Sequence, residues 1–253
     1  MTYLINPEAN TRFTTASGQT ETVGTEIFER ALADVHLVID SMKDIPIDIF
    51  AILGMRNLSA FIGELFAKSL VKESNGRYVG NPHQDGYPDL LLMDDHGKQL
   101  WETIKNNNGL RDKLPFSPFA NGGLEVKATC GSVPTPAQCS RLKIPKPHIG
   151  DTRIDVMTGY NWKAHHRETN NLVGILWDFI NGAPKIVAVF FSSDLTTEEW
   201  GAIVQPREGG GRTTSVSIMN RGGVTKMYRN WIAIENDRRY IDYINNYNRD
   251  HLI

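Results

Sequence analysis

The sequence predicts an α/β domain with a mixed central β-sheet flanked by helices. Three patterns carry this expectation. Apolar residues recur at three- and four-residue steps near residues 25–38, 57–72 and 240–247. Residues 124–128 alternate apolar and charged, the period of a strand with one buried face. Two apolar runs, 172–179 and 186–191, flank the turn Asn181-Gly182-Ala183-Pro184. The 253 residues are 40% hydrophobic and 22% charged, and no repeat, low-complexity block or linker divides them, so 1–253 reads as one domain.

In chain order, residues 6–22 are rich in Thr, Ser and Gly and predict an extended or loosely held arm. A helix follows from Thr25, with Ile27, Phe28, Ala31, Leu32, Val35 and Val38 on its stripe; His36 within it is a partly packed side chain rather than a ligand. Pro46 interrupts the pattern. A second helix at about 57–72 presents Leu58, Phe61, Ile62, Leu65, Phe66 and Leu70, with Glu64 at the border of the stripe.

An apolar strand at 90–93 runs into the turn residues Asp94-Asp95-His96-Gly97, which predict a hairpin returning through Gln99 to Ile104. Residues 105–121 and 130–151 read as irregular connections, the first carrying Lys105, Arg111 and Lys113, the second Arg141, Lys143 and Lys146 among four prolines. A short helix over Leu195 to Trp200 is capped by Thr196 or Thr197, and a terminal helix carries Tyr240, Ile241, Ile244 and Tyr247.

Net charge is −2, so a nucleic-acid surface requires local clusters of basic residues rather than a global field. Cys130 and Cys139 are too few for a disulfide framework and are expected as reduced thiols. The N-terminus lacks a basic start and apolar core, and no uninterrupted apolar stretch reaches bilayer length, so a cytoplasmic protein without membrane contact is expected. The adjacent His165 and His166 point apart on any regular element and do not make a zinc site.

The chemistry concentrates between Pro88 and Lys127. Asp89 follows a proline at the head of an apolar strand, and Glu125 and Lys127 share one side of the alternating strand. If the two strands are neighbours, two carboxylates and one ammonium converge, with the Val126 carbonyl available as an added oxygen. Such a set suits Mg²⁺ with a substrate phosphate. Lys127 can orient a water, help deprotonate it, or stabilise charge at phosphorus. The plainer reading is a turn followed by a strand with a solvated charged face. Asp85, four residues before Asp89, competes for the ligand role.

These residues resemble the PD-(D/E)xK nuclease superfamily, the motif reading Pro88-Asp89, then 35 residues, then Glu125-Val126-Lys127. The resemblance covers about residues 57–191 and is closest to type II restriction endonucleases. It implies a restriction-endonuclease-like core, Mg²⁺ held by Asp89 and Glu125, and Lys127 assisting the attacking water. Glu64 matches in order an acidic residue that sometimes joins that metal site. It also implies double-stranded DNA as substrate, a two-fold homodimer on a palindromic site, and a prokaryotic cell. DNA contacts are expected from the loops near 105–121, 130–151 and 205–226. Their candidates are Lys143, Lys146, Lys163, Arg207, Arg212, Thr213, Asn220 and Arg221, against the alternative of solvated side chains on a glycine hairpin. A structure-selective repair nuclease and a non-catalytic DNA-binding module are the competing functions.

Overall fold

The computed structural model of the protein describes residues 2–159, 162–165, 167, 171–206, 215–248 and 253. The chain begins with strand β1 (Tyr3–Ile5) and the hairpin β2 (Arg12–Thr14) and β3 (Thr20–Thr22). Helices α1 (Thr25–Met42) and α2 (Ile49–Glu73) precede the strands β4 (Tyr78–Gly80) and β5 (Leu90–Leu92) and helix α3 (Asp95–Asn106). Next come β6 (Glu125–Thr129), α4 (Pro136–Leu142), β7 (Lys163–Ala164), β8 (Leu172–Ile180) and β9 (Ala183–Ser192). Strand β10 (Ser217–Ile218), α5 (Arg221–Arg229), β11 (Trp231–Glu235) and α6 (Arg238–Asn245) complete the order.

The expected mixed sheet is present, with strand order β1-β11-β9-β8-β6. Strands β8 and β9 form an antiparallel hairpin, while β6 runs parallel to β8, pairing Glu125 with Leu172 and Lys127 with Gly174. The two-residue connection between β8 and β9 places both Asn181 (φ 53°) and Gly182 (φ 77°) in the left-handed region, where Asn and Gly are the residues least strained. Both faces of this hairpin are covered. Val173, Ile175, Trp177 and Phe179 join the core beneath α1 and α2, whereas Leu172 and Leu176 join a second core with Tyr228 and Tyr240 of α5 and α6. Alternate residues of one strand thus feed two cores, and burial of strands on both faces explains why they read as unbroken apolar runs.

Helix α1 buries Phe28, Ala31, Leu32, Val35 and Ile39; the stripe turns one residue past the expected Val38, which is exposed. His36 is indeed packed, accepting from the Ile186 N–H at Nε2 (3.3 Å) beside the Tyr3 hydroxyl (3.1 Å). Burial and the neighbouring Lys185 hold its pKa down at about 4, partly offset by Asp40. Among the described residues α2 alone is long and apolar enough to cross a membrane, but Gly54 (φ 67°, ψ 164°) breaks it. Beyond that break Leu58, Ile62, Phe66 and Leu70 face the core.

Three expectations are corrected. The segment expected as an extended or loosely held arm is extended but not loose: it forms the β2–β3 hairpin, anchored by buried Phe13 and by the Arg77–Glu21 ion pair. The expected hairpin after Met93 is α3. Asp94 accepts from the Gly97 N–H (2.7 Å) as its N-cap, and Ile104, with Leu100 and Trp101 beside it, packs on Leu91, Met93, Phe116 and Phe119. Gly97 is required there by contact: a Cβ would lie 2.0 Å from the Leu92 carbonyl oxygen. Within the connection expected to be irregular, α4 forms under a capping box between Thr135 and Gln138.

Candidate active site

Strand β5 pairs antiparallel with β4, and its first residue is bridged to the residue before β6. Leu90 and Leu124 exchange N–H···O bonds, each 2.9 Å. This contact joins the Asp89 and Glu125 segments. Gly123 makes it possible, since a Cβ there would fall 2.2 Å from Pro88 Cγ and 2.4 Å from the Leu90 carbonyl oxygen. Asn171 secures the other edge of β6, its carbonyl accepting from the Glu125 N–H (2.8 Å) and its Nδ2 donating to the Gly123 carbonyl (3.1 Å).

Asp89 is delivered by a turn that Asn81 braces. Asn81 N donates to the Asp89 carbonyl (2.9 Å), its Nδ2 donates to the Pro88 carbonyl (3.0 Å), and its Oδ1 accepts from the His83 N–H (2.9 Å). The Asp89 N–H then donates to Glu125 Oε2 (3.2 Å), and Asp89 Oδ2 accepts from the Val126 N–H (2.8 Å). Lys127 Nζ forms an ion pair with Glu125 Oε1 and lies 3.7 Å from Asp89 Oδ2. The two carboxylates and one amine expected to converge therefore do so.

Burial decides the electrostatics. The Glu125 side chain is only 8% exposed, against 24% for Lys127 and 30% for Asp89. Desolvation pushes the Glu125 carboxyl up to about 7; Lys127 opposes that rise and the nearby Asp89 adds to it. For Lys127 desolvation favours the neutral amine, but Glu125 and Asp89 together outweigh it and raise the pKa above the usual lysine value. So held, the amine is an ammonium at neutral pH. It can donate hydrogen bonds and offset negative charge, and it is not poised to take a proton from water.

Two cavities meet at Asp89. One of about 230 Å³ lies between α2 and β6, with Glu64, Asp89 and Lys127 in its wall. The other, about 480 Å³, lies between α2 and the Asn81–Gly86 turn, with Glu64, Lys68, His83 and Asp85. Glu64 is thus brought to the rim, facing both spaces. Among the described residues no three His, Cys, Asp or Glu side chains are grouped closely enough to hold a metal by themselves. Magnesium does not require such a cage, since one or two carboxylates, waters and a substrate phosphate suffice. Asp89 and Glu125 fit that donor set.

The described candidate DNA contacts fall on two segments: Lys143 and Lys146 follow α4, while the β7–β10 pairing of Lys163 with Ile218 brings Lys163 beside the Asn220–Arg221 segment. Lys143 is the left-handed C-cap of α4 (φ 56°), Lys146 is exposed in the following connection, and Lys163 is exposed on β7. Asn220 is engaged as the N-cap of α5, accepting from the Gly223 N–H (3.1 Å) while donating to the Glu198 carbonyl (2.6 Å); Arg221 begins that helix at the surface. The segment expected as a glycine loop around 220–226 is therefore helical. Arg207, Arg212 and Thr213 lie outside the described residues.

Two site features escaped the sequence reading. The Asn81 brace left no periodic signal. Lys68, by contrast, stands four residues after Glu64, one helical turn along the same face, a spacing that places both on one cavity wall. Comparison with protein-family models, with curated proteins and with solved structures found no match to this chain.

Proposed function

We propose that this protein is a Mg²⁺-dependent endodeoxyribonuclease acting on double-stranded DNA, and within that class a type II restriction endonuclease working as a homodimer on a palindromic site. The observation that carries this reading is the reciprocal contact between the Asp89 and Glu125 segments with the Lys127 ammonium beside both carboxylates. The chain order is compatible with it: helix α2, the Asp89 segment leading into β5, then α3 where a hairpin was expected, the Glu125/Lys127 strand and the apolar β8–β9 hairpin.

Asp89, Glu125 and the Val126 carbonyl would hold the metal, with Glu64 at the rim. Bound there, Mg²⁺ makes water more acidic and neutralises phosphate charge. The chain supplies the rest. The two strand segments fix the carboxylates relative to each other, and the Lys127 ammonium orients the attacking water or stabilises the charge that builds on the phosphoryl oxygens. Water adds in line to phosphorus and releases a proton to solvent, one P–O ester bond breaks, and the leaving oxygen takes up a proton from solvent.

Purified protein incubated with Mg²⁺ and phage-sized DNA tests the proposal, with the product ends sequenced. Discrete fragments sharing one terminal sequence are expected. A smear or branch-specific products would move the reading to a repair nuclease, and intact DNA at every Mg²⁺ concentration would remove it.

A further inference from the structure

The larger cavity beside Asp89 has features that hydrolysis at the Asp89–Glu125–Lys127 cluster does not use. Its volume, about 480 Å³, is in the range of ligand-binding clefts, and it opens directly from Asp89. One wall is α2, where Ala60 and Ala67 leave space and Lys68 reaches across the backbone of β4: a Cβ on Gly80 would lie 3.2 Å from Lys68 Nζ. Among the described residues no carboxylate lies within ion-pair distance of Lys68. The opposite wall is the Asn81-braced turn. There His83 Nδ1 accepts from the Asp85 N–H (3.1 Å). The turn is held tightly; a Cβ on Gly86 would fall 2.4 Å from the Asn81 side chain.

The geometry points to this cleft as the subsite for the DNA backbone next to the cut bond, with Lys68 as a phosphate-binding residue. This rests on the nuclease reading above, because a polymer cut at Asp89 must continue past it, and the cleft provides a path along α2. Glu64 and Asp85 also face this space. Their charge repels phosphate, so occupancy depends on the cation that the same reading assigns to Asp89 and Glu125. Lys68 then offsets the remaining negative charge. Its role is to position the strand, and it touches no reacting atom.

Steady-state cleavage in Mg²⁺ tests this, with kcat and KM measured from 50 to 200 mM salt for the wild type, Lys68→Ala and Lys68→Arg. Lys68 is exposed, so neither change threatens the fold. Lys68→Ala should raise KM about fivefold with kcat nearly unchanged, and should flatten the dependence of log kcat/KM on log salt by about one, the loss of a single phosphate contact. Lys68→Arg should restore both. An unchanged salt slope and KM in Lys68→Ala would overturn the subsite assignment while leaving the nuclease reading intact. A fall in kcat alone would overturn it too, by placing Lys68 in the chemistry. A wild type that cuts no DNA would instead remove the reading beneath it.

Discussion

Asp89 and Glu125 hold each other in place through the main chain: the Asp89 N–H donates to Glu125 Oε2 at 3.2 Å, and the Asp89 carboxylate accepts from the N–H of the residue after Glu125. Each carboxylate has one oxygen engaged by the opposite segment, so neither can rotate away without stranding a backbone donor. Two groups separated by 35 residues of chain thereby act as a preformed pair. Such preorganisation is what metal-assisted hydrolysis requires, because misplacement of the ligands by even an ångström is costly.

Gly123 controls the approach of the two segments. Gly123→Ala puts a methyl group 2.2 Å from Pro88 Cγ and 2.4 Å from the Leu90 oxygen, and the backbone must separate to admit it. Denaturant unfolding should show a loss of about 2 kcal/mol. Mg²⁺-dependent cleavage should fall more than the stability loss explains, since Asp89 moves off Glu125.

His36 makes stability pH-dependent. Its pKa is lowered from 6.5 to about 4 in the folded protein, so the folded state binds fewer protons than the unfolded chain between those values. The stabilisation is complete above pH 6.5 and is lost as pH falls through the folded value. Glu125, with its raised pKa, changes stability in the opposite sense over the overlapping range, so the His36 contribution must be read as a difference. The unfolding free energy of the wild type minus that of His36→Gln should fall by about 3 kcal/mol between pH 7 and pH 4. A difference that stays flat would show that His36 is not buried as a neutral ring.

Asp178 is the structural carboxylate of the second face. It accepts from the backbone N–H groups of Arg153, Ile154 and Phe179 and from the Tyr240 hydroxyl, tying the segment before β7 and helix α6 to β8. Asp178→Ala leaves those buried donors unmatched and should cost about 3 kcal/mol or more in thermal or chemical unfolding. Cleavage per folded molecule should change little, because Asp178 belongs to the scaffold.

Elements with strong periodicity could be read before any coordinates. The α1 and α2 stripes and the β8–β9 hairpin bury most of what their spacing predicts, Val38 excepted, and Asn181-Gly182 supplies the turn its residue types favour; the β6 alternation gives way, since Glu125 is as buried as Val126 and Ala128 is only half-buried. Short elements were obscured by their own polarity. The β2–β3 hairpin has one buried anchor, Phe13, among threonines, and its remaining support comes from Arg77, 56 residues beyond Glu21. At α3, Asp94 and Gly97 look like a hairpin turn when taken alone. The same residues form a helix cap once Leu100, Trp101 and Ile104 find an apolar surface around Phe116.

The candidate cluster of Asp89, Glu125 and Lys127 was legible in its residue types but not in its closure. Nothing in the letters specifies that Leu90 bridges Leu124, or that Gly123 is the residue permitting it. The Asn81 brace, made of side-chain bonds to backbone within one turn, follows no period at all.

The measurement that bears most directly on the account is Mg²⁺-dependent cleavage of DNA by the wild type beside Asp89→Asn and Lys127→Ala, each checked for native circular dichroism. Asp89→Asn keeps an oxygen for the Val126 N–H but loses the charge, and Lys127→Ala removes the ammonium. The wild type should cut, and the two folded variants should be at least ~100-fold slower. A folded variant of either kind that cuts at the wild-type rate would contradict the proposed roles of Asp89 and Lys127.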